Sequence, residues 1–235
     1  GNDRYFIANQ EKRMKIDAII FSLLPVLIGY LIGSIPTAYL AGKWIKGIDL
    51  RKYGSGTVSA SMVFEHVARW AIVPVGVFDI LKGALAAWLG MQLIDHPSGA
   101  AISGIAAVIG HNWPLFLNFT GGRGLSPFMG VLLVVFPLGA IWMLFFLGVG
   151  YFLGDSAPWS LISLATLPLL NRWVNGTMII NWCAGAILIV TFVKRLEANR
   201  RPLPADEKER RKVILLRLIF DRDIANHEEW IRRTP

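Results

Sequence analysis

The sequence predicts an all-α integral membrane protein: a bundle of about seven transmembrane helices, some short, with polar loops on the cytoplasmic side and a C-terminal amphipathic helix. Three observations carry this. Hydrophobic residues fill 54% of the 235 positions and charged ones only 17%, outside the usual soluble balance. Ile19 to Ile45 contains Lys43 as its only charge, and Leu125 to Ala157 only Asp155; nearly uncharged runs of about 18 residues or more read as membrane-crossing helices. Lys and Arg also collect beside particular helix ends, which marks the cytoplasmic side.

Residues 1–18 form a polar extension with Lys12, Arg13 and Lys15. The first span, 19–45, is too long for a signal-peptide core and lacks an A-x-A cleavage site, so it is expected to be retained. The second runs from about Trp70 to Ile94 and carries Asp79 and Lys82, three apart on one face. Charges inside a membrane are paired or functional, and a structural ion pair is expected. A third span covers about Gly99 to Phe116. Leu125 to Leu153 makes either one long helix or two short ones broken near Pro137. A short span from Trp159 to Leu170 and a last one from Thr177 to Val193 complete the membrane unit, 19–195. Small residues four apart (Gly29/Gly33, Ala38/Gly42, Ala106/Gly110, Gly150/Gly154) suit close helix packing in lipid.

Lys43, Lys46, Arg51, Lys52, Arg123, Lys194, Arg195, Arg200 and Arg201 put their loops and the C-terminus inside the cell, in a bacterial inner membrane; the turns near Asp95 and Arg172 fall outside. Residues 196–235 form a basic tail in which Val213, Leu216, Ile219 and Phe220 recur at helical spacing. That stripe suits an amphipathic helix on the inner leaflet, or a small soluble appendage. The lone Cys183 forms no disulfide framework. His66, His96 and His227 show no metal-ligand spacing with His111, so neither metal nor cofactor is expected. Membrane lipids are the expected surroundings, nucleic acid is not an expected partner, and nothing assigns an oligomeric state.

Two stretches interrupt the apolar pattern: "DLRKYGSGTVSAS", Asp49 to Ser61, and "GHNWPLFLNFTGGRG", Gly110 to Gly124. Each combines glycines with hydroxyls or amides and a cationic side chain. Glycine tolerates positive φ, which lets successive N–H groups converge on an anion, and arginine offers a planar fork for phosphate oxygens. Together they point to a phosphorylated ligand at the membrane surface. Neither has the spacing of a nucleotide loop, and each also reads as an interhelical turn. His111 reads either as a satisfied hydrogen-bonder or as a base. The loops at 47–61, 110–124 and 155–163 are expected to converge on one cytoplasmic face.

In order along the chain, "YLIGSIPTAYLAGK", "GIDLRKYGSG", "FDILKG", "GHNWPLFLNFTGGRG", "SLIS" and "KRLEANRR" resemble the motifs of the bacterial acyl-phosphate:glycerol-3-phosphate acyltransferases, small integral membrane enzymes. The resemblance implies acyl transfer from fatty acyl phosphate to the 1-hydroxyl of glycerol 3-phosphate, giving lysophosphatidic acid. It implies Ser55, Arg123 and His111 as catalytic residues. It further implies Gly54, Gly56, Thr57, Gly121, Gly122, Gly124, Ser160, Ser163, Lys194 and Arg195 as substrate- and phosphate-binding positions, with the N–H groups of Gly54 to Gly56 and Gly121 to Gly124 around the donor phosphate. The sequence departs from the pattern in Arg123 for lysine, Thr57 and Met62 for asparagine, Glu65 for arginine, Ala157 for a basic residue, and Arg195 and Ala198 for histidine and asparagine. Glu65 in particular leaves a different acceptor, or a non-catalytic lipid-binding role, as alternatives.

Overall fold

A computed structural model describes residues 23–232, and all regular structure among them is helical. The 1–18 extension and the start of the first span lie outside the described residues. The first span is not one rod. Helix α1 occupies 23–33 and α2 Thr37–Lys46, because Pro36 has no N–H and biases Ile35 away from helical geometry. Side chains add bonds to the carbonyls around the break. Ser34 Oγ donates to Tyr30 O at 2.8 Å, and Lys82 Nζ, from the second span, donates to Ile35 O at 3.0 Å.

After α2 come a turn at Leu50–Lys52, the short α3 (Ala60–His66) and the long α4 (Ile72–Leu93). Asp49 caps that turn, and the Arg51 guanidinium bonded to it holds the Asp49 carboxyl below its ordinary pKa. Helix α5 (Pro97–Asn112) begins on a proline, tolerated where no intrahelical N–H is needed. Helices α6 (Leu125–Val135) and α7 (Pro137–Phe152) are separate, the chain breaking at Phe136 just before Pro137. Helices α8 (Ser156–Trp173) and α9 (Met178–Glu197) follow, then α10 (Glu207–Phe220) and α11 (His227–Ile231).

Four stretches are long and apolar enough to cross a bilayer: Leu23–Lys46, Arg69–Leu93, Pro97–Leu117 and Met178–Arg200. At 11 residues, α6 rises only about 16 Å, roughly half the hydrocarbon thickness. The outer surface shows large apolar side chains to the surroundings, with Trp44 79%, Trp182 76% and Phe152 86% exposed. A water-soluble surface rarely carries so much exposed apolar area; lipid covers it here. Inside, Phe128, Leu132, Met143, Leu164, Leu167 and Ile187 form the core joining α6 to α9.

Between helices in lipid the contact is van der Waals packing, which small residues allow to be close. Gly29 and Gly33 of α1 lie against the backbone of Ser103 and Ala107 in α5, and Gly110 returns the contact at Tyr30. The crossing of α4 on α6 rests on Gly83 and Gly130, which press on the carbonyls of Pro127 and Ile80. Adding a Cβ there forces the helices apart. Gly83→Ala or Gly130→Ala is expected to destabilise by about 1–3 kcal/mol, or roughly 2–10 °C in a melting scan in detergent. Gly76→Ala, whose Cβ meets nothing within 4 Å, should not lower the midpoint. Equal midpoints for all three variants would refute the crossing.

The C-terminal segment corrects one expectation. Helix α10 does not lay its whole stripe on a lipid leaflet; it packs across the ends of α8 and α9. Val213 and Arg217 face the protein while Leu215 and Ile219 are exposed. Arg217, only 2% exposed, donates to the carbonyls of Leu196, Arg201 and Pro202 and to Asp223 Oδ1 at 2.6 Å. A buried guanidinium with four satisfied bonds fixes this segment to the bundle.

Candidate active site

The two polar loops are stitched together by backbone and amide bonds. Val58 N donates to Gly121 O at 3.2 Å. Asn199 Nδ2 reaches Gly56 O at 2.9 Å and Gly121 O at 3.3 Å. Arg201 Nη2 adds a bond to Gly54 O at 3.2 Å. Asn199 stands in a run of three left-handed residues, Ala198 to Arg200, an unusual conformation for side chains other than glycine. The third loop joins through Arg195, whose Nη2 donates to Ala157 O and Ser160 Oγ at 2.8 and 2.9 Å. All three loops therefore border one cavity of about 850 Å³.

Thr57, His111, Arg123, Gly124, Ser160 and Arg195 line that cavity. Ser55 opens instead onto a small crevice shared with Arg123, Arg195 and Arg222. Its hydroxyl begins a row on alternate residues, Ser55, Thr57, Ser59 and Ser61, linked at 2.6, 3.3 and 3.0 Å. The row runs from the turn at Gly54–Ser55 into the start of α3 and leads from a buried serine to an exposed one.

The glycines work differently from the expectation. The N–H of Gly56 is taken by Tyr53 O at 2.8 Å, and that of Gly122 by His111 O at 3.0 Å. Neither is free to hold phosphate. Gly121 and Gly122 are small because the loop lies on the end of α5: a Cβ on Gly122 would strike the His111 ring, and one on Gly121 the carbonyls of His111 and Asn112. Gly124, at φ +78°, starts α6.

The free donors lie at helix starts. Gly124, Leu125 and Ser126 open α6 on the cavity wall; α8 opens there too and leaves the Ser156 N–H, while the N–H groups of Asp155 and Ala157 are taken by Gly150 O and Asp155 Oδ1. Pro127 and Pro158 each stand third in these helices, where an N–H has no intrahelical partner in any case. Helix N-termini present N–H groups and partial positive charge to anions. Arg123, one residue before the α6 cap, donates from Nε to Asp221 Oδ2 at 2.7 Å and from Nη1 to Lys194 O at 3.0 Å.

Other expected residues are committed elsewhere. Arg195 uses Nη1 on the carbonyls of Leu218 and Ile219 at the end of α10, besides its Nη2 bonds. Lys194 is fully buried, pairs with Glu197 at 2.9 Å and stands 4.9 Å over the Trp113 ring, away from the cavity wall. Ser163 donates to Ser160 O and is off the wall too. The Asp79–Lys82 ion pair forms at 2.7 Å, and Asp79 also accepts from Thr37 at 2.5 Å. His111 Nδ1 comes within 3.7 Å of the same carboxylate, beyond hydrogen-bond distance, and both residues line the cavity.

Sequence reasoning missed the contribution of the tail. Asp221, Arg222, His227, Trp230 and Ile231 all line the cavity. The one available signal was Arg217, a cation four residues after Val213 on what reads as an apolar stripe.

A family model described as glycerol-3-phosphate acyltransferase matches residues 23–201. The chain belongs to the glycerol-3-phosphate acyltransferase family. Among curated members, glycerol-3-phosphate acyltransferase 4 of Dehalococcoides mccartyi (strain CBDB1) is 34% identical over 221 residues, 90% of this chain and 93% of that protein. Glycerol-3-phosphate acyltransferase 2 of Moorella thermoacetica (strain ATCC 39073 / JCM 9320) is 40% identical over 150 residues, 63% of this chain and 76% of that one. The crystal structure of PlsY (YgiH), an integral membrane glycerol 3-phosphate acyltransferase, in its glycerol 3-phosphate form superposes with a TM-score of 0.67 at 28% identity, covering 76% of this chain and 90% of that one. The family match ends at 201, so the tail residues on the cavity wall lie beyond it.

Proposed function

We propose that this acyltransferase-family chain moves an acyl group from fatty acyl phosphate to the 1-hydroxyl of glycerol 3-phosphate, releasing lysophosphatidic acid and phosphate on the cytoplasmic side of a bacterial inner membrane. The observation that carries the proposal is the single cavity shared by all three polar loops, with Arg123 and the start of α6 on its wall. The donor phosphate sits against Arg123 and the N–H groups of Gly124 to Ser126. Its acyl chain runs along Met62, Phe64, Ile72, Leu125 and Leu147, also on the wall, each buried methylene contributing about 0.8 kcal/mol. The acceptor hydroxyl oxygen attacks the acyl carbonyl carbon, the carbon–oxygen bond to phosphate breaks, and the departing phosphate takes the hydroxyl proton. Fixed dipoles and cations that meet the departing charge commonly lower such barriers by several kcal/mol. The membrane unit, 19–195, supplies the donor site and 196–235 closes it.

Product analysis tests this directly: full-length protein in detergent is given palmitoyl phosphate and a panel of glycerol 3-phosphate, glycerol and ethanolamine. Lysophosphatidate and phosphate should appear in equal amounts. Turnover with ethanolamine but not glycerol 3-phosphate would establish the second reading, a different acceptor. One observation favours that reading: Glu65 is exposed on the cavity wall and makes no ion pair or hydrogen bond with the described residues. Two charges 4 Å apart interact by about 4 kcal/mol at an effective dielectric near 20, less where water screens them. Glu65→Arg should therefore lower KM for glycerol 3-phosphate about tenfold, equivalent to about 1.4 kcal/mol. An unchanged KM in an active variant would remove Glu65 from the acceptor pocket.

A further inference from the structure

The cavity wall carries three arginines, and their hydrogen bonds separate their roles. Arg195 is committed to four acceptors, all of them protein groups. Arg123 is divided between Asp221 and the Lys194 carbonyl. Arg222 differs. Its Nη1 donates to Asp155 Oδ2 at 2.8 Å and its guanidinium lies 5.0 Å over the Phe220 ring. Its Nε is buried with no partner among the described residues. The residue before it shows the complementary defect: Asp221 gives Oδ2 to Arg123, while its Oδ1 is buried without a donor. Native proteins rarely bury an unpaired polar atom, and a missing ligand is a recognised reason when they do.

A residue with an orphan donor and one with an orphan acceptor, adjacent in the chain, thus line the same cavity. A ligand that satisfies both presents an anionic oxygen to Arg222 and a hydroxyl to Asp221. Fatty acyl phosphate has anionic oxygens and no hydroxyl; glycerol 3-phosphate has both. Asp155, which also caps α8 through Ala157 N, holds the Arg222 guanidinium in place, so little side-chain ordering remains for binding. We propose that Asp221 and Arg222 form the acceptor subsite, with the Arg222 guanidinium on the phosphate of glycerol 3-phosphate and the Asp221 carboxylate on a glycerol hydroxyl. The inference deepens the acyltransferase reading and rests on it for the acceptor's identity. It assigns substrate recognition to residues beyond the family match, which ends at 201. The Dehalococcoides relative aligns with 90% of this chain, a share that residues 1–201 alone do not supply, so its similarity reaches into the tail.

The test measures equilibrium binding of radiolabelled glycerol 3-phosphate to the full-length protein without donor, and in parallel KM and kcat with palmitoyl phosphate. Arg222→Gln should raise both Kd and KM for glycerol 3-phosphate at least tenfold, with kcat and the KM for palmitoyl phosphate within about twofold. Arg222→Lys keeps the charge but lacks the Nε donor and should weaken binding about threefold or more; it decides the matter if the glutamine variant does not fold. Wild-type protein should prefer glycerol 3-phosphate to n-propyl phosphate, and Asp221→Asn should shrink that preference. Unchanged binding in a folded Arg222 variant overturns the subsite, as does a wild-type protein that fails to bind glycerol 3-phosphate. Binding that depends on Arg222, without acyl transfer, supports the subsite and defeats the acyltransferase reading instead.

Discussion

Replacing Arg123 with alanine should lower the rate of lysophosphatidate formation about 10²–10³-fold, the range seen when one donor to a developing anion is removed. Two features make the effect large. The guanidinium stands one residue before the cap of α6, so its charge adds to the helix dipole at the departing phosphate. It is also held in place by Asp221 and the Lys194 carbonyl, so the charge does not have to be organised during reaction. Arg123→Lys keeps a cation without the fork. It can meet either the phosphate or Asp221, and should retain part of the activity. Initial rates of phosphate release at saturating acyl phosphate measure both. If the alanine variant turns over within about twofold of the parent, the glycine-rich loop is no more than a turn.

The second large effect should come from a residue that touches no substrate. Arg217→Met removes the cation joining Asp223 to three backbone carbonyls. Breaking a buried charge pair from one side costs about 3–5 kcal/mol. The segment bears few other buried groups, Val213 among them, so the loss should appear as local opening of residues 207–231 and not as unfolding of the membrane helices. Hydrogen exchange should speed up about a hundredfold or more there, since each 1.4 kcal/mol is a factor of ten. Activity should fall at least tenfold, because the opened segment carries Asp221 away from Arg123. Native exchange and native activity together would show that the tail is not held by Arg217.

The membrane architecture was legible because lipid penalises charge so heavily that an uncharged run has few other readings. The break before Pro137 was legible for the same local reason that proline always gives, a missing N–H. The equivalent break at Pro36 carries the same signal, but the run from 19 to 45 reads as a single span when only its lack of charge is followed. The convergence of the loops could be anticipated from their shared polar content and from their motifs. How they do it could not: Asn199 and Arg201 clamp the loops from 78 and 147 residues away in sequence, and no periodicity encodes such a bond. The tail misled for a physical reason. An apolar stripe has the same spacing whether it meets lipid or protein, and only Arg217 within it distinguishes the two.

Trp230 and Ile231 stand on the cavity wall, and Trp230 also packs against the cluster of Leu50, Val58 and Met62 beneath the first loop. Whatever is joined to the chain after this point therefore departs from the rim of the cavity. A purification handle, fluorescent label or fused domain placed there is a neighbour of the bound molecule, with its own charge and bulk at the doorway. The opposite end of the same segment, around Glu207 to Arg211, is a run of exposed side chains and offers an attachment point that leaves the doorway clear.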